Sequence, residues 1–320
     1  MINTISKILE EMEPFLNDEQ NDRLKNAVKK AFDNERIDNR TNEEYIEMYL
    51  SAKQLEGLSA RTIYNYRLRL NSFNETLNKS FRFVNTDDIR QYLTNYQSEH
   101  NCGNGSLENI RGTLSGFFIW LEQEEYIFRS PVHRINKIKQ TKKIKKVIND
   151  ESLEKLRINC KNERDLAMVD MLSSTGIRAS ELVELNITDI NFEERECIVH
   201  GKGDKYRPAY FDARTKYHLQ TYLKSRTDDN PALFVSLIEP HARLTVNGVE
   251  RRIRNLGRKS GCDRVHPHMF RRTMATRAIE KGMPVEQVQK ILGHNQIGTT
   301  MMYAIVNQNL VKQSHRKYLT

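Results

Sequence analysis

An ordered set of six polar side chains runs through the second half of the chain and restricts how that half can fold. An arginine in Thr-Gly-Ile-Arg comes first, and a lysine in Gly-Lys-Gly-Asp-Lys comes second. A His-Met-Phe-Arg box, a histidine in Leu-Gly-His and a tyrosine nine residues later complete the set. The six residues are Arg178, Lys202, His268, Arg271, His294 and Tyr303. A fold that uses them together must bring several separate elements to one point.

These side chains are suited to a reaction at a phosphodiester. Guanidinium groups such as Arg178 and Arg271 can hold non-bridging oxygens in bidentate fashion and stay protonated at any working pH. His294 can donate a further hydrogen bond to the same oxygens. His268 lies one helical turn before Arg271, so both reach the same point. His268 either polarises the phosphate or exchanges a proton with the nucleophile.

Tyr303 is the candidate nucleophile, and Lys202 is the candidate general acid. A free phenol has a pKa of about 10, so a positively charged site lowers the cost of losing its proton during attack. The alkoxide oxygen that leaves phosphorus needs a proton, which an ammonium group at a hairpin tip can supply. Lys205 is a rival for that role. Glu181, one turn after Arg178, is expected to orient a cationic partner.

Each of these residues has an ordinary interpretation when it is taken alone. Tyr303 could be a core residue or a DNA contact, Lys202 a turn lysine and His294 a hydrogen-bonding residue at a helix end. An HxxR box and a Leu-Gly-His triplet are also common by chance. The order and spacing of the whole set favour the chemical interpretation.

The ordered set resembles that of the tyrosine recombinases, the phage-integrase and Xer family. The resemblance covers the catalytic half and, more weakly, the helical region from about residue 38. It implies site-specific cutting and rejoining of DNA through a 3′-phosphotyrosyl intermediate, without metal, nucleotide or other cofactor. It also implies four protomers on two DNA sites, with accessory directionality proteins as further candidate partners. Many members have a histidine where this chain has Arg272, so local tuning is expected to differ there.

Two other functions stay open. A type IB topoisomerase-like DNA relaxase uses similar groups, and a non-catalytic DNA-binding regulator could be built on the same fold. The intact set of six counts against the regulator, because DNA binding alone requires neither a nucleophilic tyrosine nor a hairpin lysine.

The overall charge favours a polyanionic partner. The chain of 320 residues contains 51 Lys and Arg and 42 Asp and Glu, giving a formal net charge of +9 and a pI of about 9.2. No apolar run approaches membrane-spanning length, and the N-terminus lacks a signal-peptide pattern. The four cysteines show neither metal-ligand nor disulfide-framework spacing. We predict a cytoplasmic protein with double-stranded DNA as its partner, no membrane association and no metal site.

The hydrophobic periodicity predicts a mainly α protein with a small antiparallel β-sheet, an α+β fold of two domains. The predicted parts are an N-terminal helical extension (1–37), a helical core DNA-binding domain (38–128), a basic linker (129–148) and a catalytic domain (149–320). Within the catalytic domain, predicted strands at 196–200 and 206–211 form a hairpin with Lys202 at its tip. Predicted helices cover 151–159, 163–174, 213–225, 245–259, 269–281 and 285–292.

Capping residues mark the expected helix starts of the first domain. Thr41 begins a capping box that ends at Glu44, and Ser59, Thr86 and Ser106 are the predicted N-caps of the next three helices. The apolar stripes of these helices form a core, so DNA contacts must come from the polar faces. The candidates there are Arg61, Arg67, Arg69 and Arg111.

The linker carries a concentrated positive charge. No acidic residue lies between Glu125 and Asp150, a stretch that holds eight lysines and arginines. A basic strap between two DNA-binding domains can neutralise phosphates, although a solvated linker is the ordinary alternative. Its candidate phosphate contacts are Lys142, Lys143, Lys145 and Lys146.

Overall fold

The structure is a computed structural model that describes residues 11–33, 39–139, 146–201, 205–262, 264–294 and 296–303, with residues 26–33 and 205 described for their backbone alone. The chain divides into two compact units, Met1–Lys142 and Lys143–Thr320. Each unit has a hydrophobic core of its own. Helices dominate both, and the described strands form one small antiparallel sheet, so the predicted α+β class is confirmed. The finer domain boundaries stay predictions.

The first unit is built from helices around an aromatic core. Its α-helices are α1 Asp18–Asp33, α2 Asn42–Leu55, α3 Ala60–Asn74, α4 Thr86–His100 and α5 Asn104–Gln123. Phe73, Phe81, Phe117 and Phe118 are fully buried, and most of their rings meet edge to face. Such packing adds to the free energy that burial alone contributes. α1 falls within the predicted N-terminal extension, whose first ten residues lie outside the described chain.

The second unit combines helices with a three-stranded sheet. Its helices are α6 Asp150–Ile158, α7 Glu163–Thr175, α8 Ala179–Glu184, α9 Ala213–Lys224, α10 Val246–Lys259, α11 Pro267–Glu280, α12 Val285–Leu292 and α13 Ile297–Met301. Its strands are β1 Ile190–Asn191, β2 Glu196–Gly201 and β3 Lys205–Tyr210, in the order β1-β2-β3. The predicted helices and the predicted hairpin are confirmed, while β1 and α13 were not predicted. The hairpin tip, residues 202–204, lies outside the described residues.

Two of the four predicted helix caps are correct. Thr41 forms the capping box with Glu44, and the Ser59 side chain accepts from the backbone N–H of Thr62. Thr86 is not a cap, because the side chain of the preceding Asn85 accepts from the N–H groups of residues 87 and 88, and the Asn85 backbone N–H donates to the Asp88 carboxylate. Ser106 lies inside the first turn of α5, which begins one residue after Gly103 without a side-chain cap.

The first part of the predicted linker packs against the first unit. Pro131–Arg134 forms a 3₁₀ turn, and its Pro131 carbonyl accepts from Thr86 Oγ1 at 2.8 Å. The Ile138 N–H donates to the Glu108 carboxylate at 2.9 Å. At the other end, Ile148 is buried in the core of the second unit. These contacts argue for a linker shorter than residues 129–148.

A close approach between α7 and α11 prepares the site. Gly176 ends α7 with a φ of +62°, and a Cβ at this position would lie 2.5 Å from Met274 Cε. The left-handed backbone favours glycine here, and the same Cβ would lie 3.6 Å from the Cα of Arg271 on α11. The turn after α7 therefore lies directly against α11, which carries the His-Met-Phe-Arg box. Within the described residues, no helix is long and apolar enough to span a bilayer.

Candidate active site

Arg178 and Glu181 form a tight pair at the start of α8. The Arg178 backbone N–H donates to Glu181 Oε2 at 2.8 Å, and Arg178 Nη1 donates to Oε1 at 2.6 Å. The Glu181 side chain is 2% exposed, whereas that of Arg178 is 37% exposed. The carboxylate therefore holds a guanidinium that still faces solvent. This is a charge-assisted contact of the strong kind, and it fixes the direction of the arginine.

Arg271 connects two turns that are far apart in the sequence. It is 1% exposed, and its Nη1 donates to the Gly176 carbonyl at 2.9 Å while Nη2 donates to the Leu292 carbonyl. Burial, together with the nearby charge of Arg178, lowers the pKa of Arg271 to about 10. The side chain still carries its positive charge at neutral pH, inside the protein and close to Arg178.

His294 follows the left-handed residue Gly293 at the end of α12. Its Nδ1 lies 2.8 Å from Oγ1 of the buried Thr300, and its ring centroid lies 6.1 Å from that of Tyr303. Burial, followed by the charges of Arg271 and other nearby cationic side chains, lowers the pKa of His294 to about 4. His294 is therefore neutral at physiological pH in this structure.

Tyr303 is buried beside the basic groups. It is 7% exposed and packs with Ala275, Val288 and Leu292, which come from α11 and α12. It is also close enough to Arg271 to affect the pKa of that guanidinium. Apolar packing around a phenol limits its rotamers, so the side chain is held in one place near His294.

His268 lies on the first turn of α11, three residues before Arg271. Its ring stacks nearly parallel on that of His266, with centroids 6.4 Å apart. Its charge contributes to the lowered pKa of His294, which places the two imidazoles in one electrostatic environment.

Arg272, the departure from the family pattern, is a buried arginine. It is 8% exposed, and its Nε has no hydrogen-bond partner among the described residues. Burial lowers its pKa, while the neighbouring Tyr303 acts in the opposite direction. A buried guanidinium thus lies near the candidate nucleophile in place of an imidazole.

Arg207 on β3 was not predicted, yet it takes part in the site. Its Nη2 donates to Glu181 Oε2 at 2.8 Å, on the carboxylate that also binds Arg178. β3 pairs Arg207 with the buried Val199 of β2. An arginine at the buried positions of an alternating strand is a weak signal that could have drawn attention to it.

A pocket of about 900 Å³ opens among these groups. Arg178, Gly201, Arg207, Gly293 and His294 all line it. The structure does not show the side chain of either lysine considered as the general acid. Lys202 is outside the described residues, and Lys205 is described for its backbone alone. The strand residues on either side of the tip reach the pocket, so the hairpin is anchored at its edge.

The DNA-contact candidates of the first unit differ in exposure. Arg61 is exposed, Arg67 pairs with Glu47, and Arg69 donates to the Asn109 carbonyl and to Thr113. Of the linker lysines, Lys146 is exposed, whereas Lys142, Lys143 and Lys145 lie outside the described residues.

Arg111 is the exception in this group. It is 8% exposed, and its Nε and Nη2 bind the two oxygens of Glu108 at 2.8 and 2.7 Å. Because both forks of the guanidinium are engaged in a nearly buried ion pair, the geometry argues against the prediction that Arg111 contacts phosphate.

The described residues contain no group of three or more His, Cys, Asp or Glu side chains placed to hold a metal ion. In the candidate site, Arg178 and Arg207 both bind the Glu181 carboxylate, and Arg271 binds two backbone carbonyls. The arrangement is therefore suited to an anionic ligand with several acceptor oxygens.

Comparisons with known proteins agree with this geometry. The phage integrase family profile matches residues 138–309, and the phage integrase N-terminal SAM-like domain matches residues 45–127. Tyrosine recombinase XerA of Pyrococcus furiosus is 31% identical over 277 residues, which cover 85% of this chain and 92% of the relative. Tyrosine recombinase XerC of Bacillus pumilus is 28% identical over 291 residues, covering 85% of this chain and 95% of the relative.

Solved structures share the fold. The Tn1549 transposon integrase in complex with a circular intermediate DNA superposes with a TM-score of 0.71 at 18% identity, over 86% of this chain and 99% of that chain. A lambda integrase dimer bound to a COC′ core site gives a TM-score of 0.68 at 20% identity, over 82% of this chain and 76% of that chain.

Fold and site together define a DNA strand-transferring enzyme with a tyrosine-recombinase catalytic domain. The chain belongs to the phage integrase family of tyrosine recombinases. The predicted family and enzyme class are therefore confirmed. Family membership gives the class of reaction, whereas the role of each side chain depends on the geometry of this site.

Proposed function

We propose that the protein cuts and rejoins double-stranded DNA at specific sites through a phosphotyrosyl bond at Tyr303. The observation that carries the proposal is the pair of hydrogen bonds from Arg271 to the carbonyls of Gly176 and Leu292. These bonds join the Thr-Gly-Ile-Arg turn to the Leu-Gly-His turn, although 95 and 21 residues separate the partners. This link supports the proposal, because side chains on both turns are suited to one phosphate.

The two arginines act on the phosphate in different ways. Arg178 keeps solvent access and binds the non-bridging oxygens directly, while Glu181 holds its guanidinium in place. Arg271 donates from both terminal nitrogens to backbone carbonyls, so it supplies a fixed positive charge near the phosphate. Fixed charges of this kind stabilise the transition state, because they need no reorganisation as negative charge builds up on the oxygens.

His294 is a neutral hydrogen-bond donor in this scheme. When the Thr300 hydroxyl donates to Nδ1, the proton of the neutral ring resides on Nε2, which can donate to a phosphate oxygen. An incoming phosphate carries negative charge, so its binding raises the pKa of His294 from the low value of the DNA-free protein.

The cleavage step exchanges one phosphoester for another. The phenolic oxygen of Tyr303 attacks phosphorus and loses its proton, and the bond to the 5′ oxygen breaks, which leaves a 3′-phosphotyrosyl strand. Lys202 donates a proton to the leaving 5′ oxygen. A 5′ hydroxyl reverses the reaction by attacking the phosphotyrosyl bond, so rejoining needs no ATP. His268 exchanges the proton of the nucleophile or polarises the phosphate.

Four protomers on two DNA sites form the proposed working assembly, with accessory proteins setting the direction of exchange. The P. furiosus and B. pumilus relatives are named as tyrosine recombinases, which supports the same DNA chemistry here. A cytoplasmic location goes with this substrate, since that is where bacteria and archaea keep their DNA.

The first test needs a DNA substrate, which is found by selecting duplexes that bind the purified protein from a random-sequence pool. The selected duplex is then synthesised with a single nick in one strand, at a different position in each preparation. We call these preparations the nicked duplexes. A nick beside the cleavage point lets the short 5′-hydroxyl product diffuse away and traps the covalent complex. The wild-type protein should form an adduct that survives denaturing electrophoresis.

The Tyr303→Phe variant should bind the selected duplex normally and form no adduct. Tyr217→Phe is the matched control, because Tyr217 is an exposed tyrosine of α9 in the same unit; it should react as wild type does. Adduct formation by Tyr303→Phe would overturn the assignment. Relaxation of supercoiled plasmids without regard to sequence would favour a relaxase instead.

A further inference from the structure

Arg207 is a further, partly buried arginine beside the candidate site. Its side chain is 12% exposed, and it lies on β3 opposite the buried Val199. Nη2 donates to Glu181 Oε2 at 2.8 Å, but Nε and Nη1 are buried without a hydrogen-bond partner among the described residues. Unsatisfied buried donors destabilise a fold, so an arginine here is expected to serve the site rather than stability.

The stem of Arg207 packs against the turn that carries His294. Gly293 has a φ of +63°, and a Cβ there would lie 2.5 Å from Arg207 Nε and 2.8 Å from Cδ. The left-handed backbone and this close approach both require glycine. Arg207 therefore contacts two parts of the site, namely the carboxylate that holds Arg178 and the backbone immediately before His294.

The charges around Glu181 are unbalanced in favour of positive charge. Arg178 and Arg207 both donate to its carboxylate, and both lower the pKa of the nearby Arg271 after the larger effect of burial. Three guanidinium groups around one carboxylate leave a net positive field for an incoming phosphate. Removing one cation would weaken that field and also release the carboxylate from one of its two partners.

We propose that Arg207 is a positioning residue of the cleavage site: it fixes the Glu181 carboxylate so that Arg178 is held toward the phosphate, and it supports the turn that carries His294. The inference rests on the proposed function, since it gives Arg207 a part in the same reaction. Without Arg207 the carboxylate can rotate and take Arg178 with it, while other contacts to the duplex persist. The defect should therefore appear in the rate of cleavage more than in DNA affinity.

Arg207→Met tests this directly, because methionine keeps an unbranched stem against Gly293 but removes the donors and the charge. The rate constant for adduct formation at saturating protein on the nicked duplexes should fall about 100-fold, the scale of losing one preorganised donor. The dissociation constant for the selected duplex should stay within about threefold, since most phosphate contacts lie elsewhere.

The route through Glu181 is tested by a double-mutant cycle. If Arg207 acts by fixing that carboxylate, the combined Arg207→Met and Glu181→Gln variant should be no more than about threefold slower than the slower single variant. If the rate loss of the double variant equals the product of the two single losses, Arg207 and Glu181 act independently, and the proposal is overturned. An Arg207→Met rate within about threefold of wild type would overturn it as well.

Arg243→Met is the matched control for loss of packing. Arg243 is a partly buried arginine of the same unit, and its Nη1 donates to the carbonyls of Val183, Glu184 and Leu185 at the end of α8. The Arg243→Met variant should have a lower melting temperature, measured by circular dichroism. At temperatures below its unfolding transition it should cleave DNA at the wild-type rate. An equal rate defect in both variants would make Arg207 a merely structural residue. Absence of any wild-type adduct would count against the proposed function itself.

Discussion

His294 shows how burial among cations sets the protonation of a single side chain. Burial and the neighbouring arginines lower its pKa from an ordinary value of 6.5 to about 4. The unfolded chain therefore binds a proton more readily than the folded chain between these two values. The folded state is stabilised above pH about 6.5, and this stabilisation is lost as the pH falls from about 6.5 to about 4.

The first prediction concerns this loss of folding stability as the pH falls. The free energy of unfolding, measured by urea titration, should fall between pH about 7 and pH about 5 in the wild-type protein, and by a smaller amount in the His294→Gln variant, which has no imidazole at this position. Parallel pH profiles for the two proteins would show that His294 is not the titrating group.

The sequence could identify the candidate catalytic residues because their order and spacing are informative. The alternation along β3 is only a weak signal for Arg207, because the side chain that binds it, Glu181, lies 26 residues away in the sequence. The sequence could not foresee the burial of Arg111, since an arginine on a helix beside Glu108 is usually a surface pair. Such residues become visible only when tertiary contacts are known.

At the scale of elements, the cap of α4 depends on Asn85. Its side chain accepts from two backbone N–H groups of the first turn, and the Asp88 side chain completes the box. The second prediction is that Asn85→Ala lowers the free energy of unfolding by about 1 kcal/mol. Ser106→Ala, at a position inside the first turn of α5, should change it by less than about 0.5 kcal/mol in the same urea titration. Equal losses would contradict the observed helix starts.

The hairpin of β2 and β3 carries the third prediction. If Lys202 protonates the leaving 5′ oxygen, a strand with sulfur in the bridging 5′ position needs no acid, because a thiolate leaves readily. Lys202→Ala should therefore cleave the sulfur-bridged strand nearly as fast as wild type and fail on the oxygen strand.

Arg178→Ala is the contrasting variant, because the positive charge of Arg178 acts on the non-bridging oxygens. This variant should fail to cleave both the oxygen strand and the sulfur-bridged strand. A Lys202→Ala defect of equal size on both substrates would move the role of acid to Lys205 or His268.

Regular elements were predictable where hydrophobic periodicity extends over several turns, as in α7, α10 and the strands of the hairpin. The short elements escaped prediction for a physical reason. β1 has two residues and α13 has five, too few for any period to show, and both depend on neighbouring elements for their stability. Residues 131–139 pack on the first unit through Val132, Ile135 and Ile138 and through hydrogen bonds such as that from Ile138 to Glu108. Three isolated apolar residues in an irregular segment show no helix or strand period, so the sequence did not reveal this packing.

For the whole molecule, the fourth prediction concerns the basic segment between the two units. Replacing Lys142, Lys143, Lys145 and Lys146 with Gln should weaken binding to many DNA sequences alike, because phosphate contacts carry no sequence information. The slope of log K against log salt concentration should shrink by about 0.9 for each phosphate that the variant no longer neutralises. Binding titrations on the selected duplex and on a scrambled duplex measure both effects, and an unchanged slope would show that these lysines do not contact DNA.

The fifth prediction addresses the central claim, a covalent bond between Tyr303 and a 3′ phosphate. The adduct formed on a nicked duplex is digested with protease and nuclease, and the remaining nucleotide–peptide is sequenced by mass spectrometry. The modified peptide should carry its nucleotide on Tyr303, and only the strand fragment labelled at its 5′ end should stay with the protein. A nucleotide attached to any other side chain, or a protein joined to the 5′ end of the break, would contradict the proposed reaction.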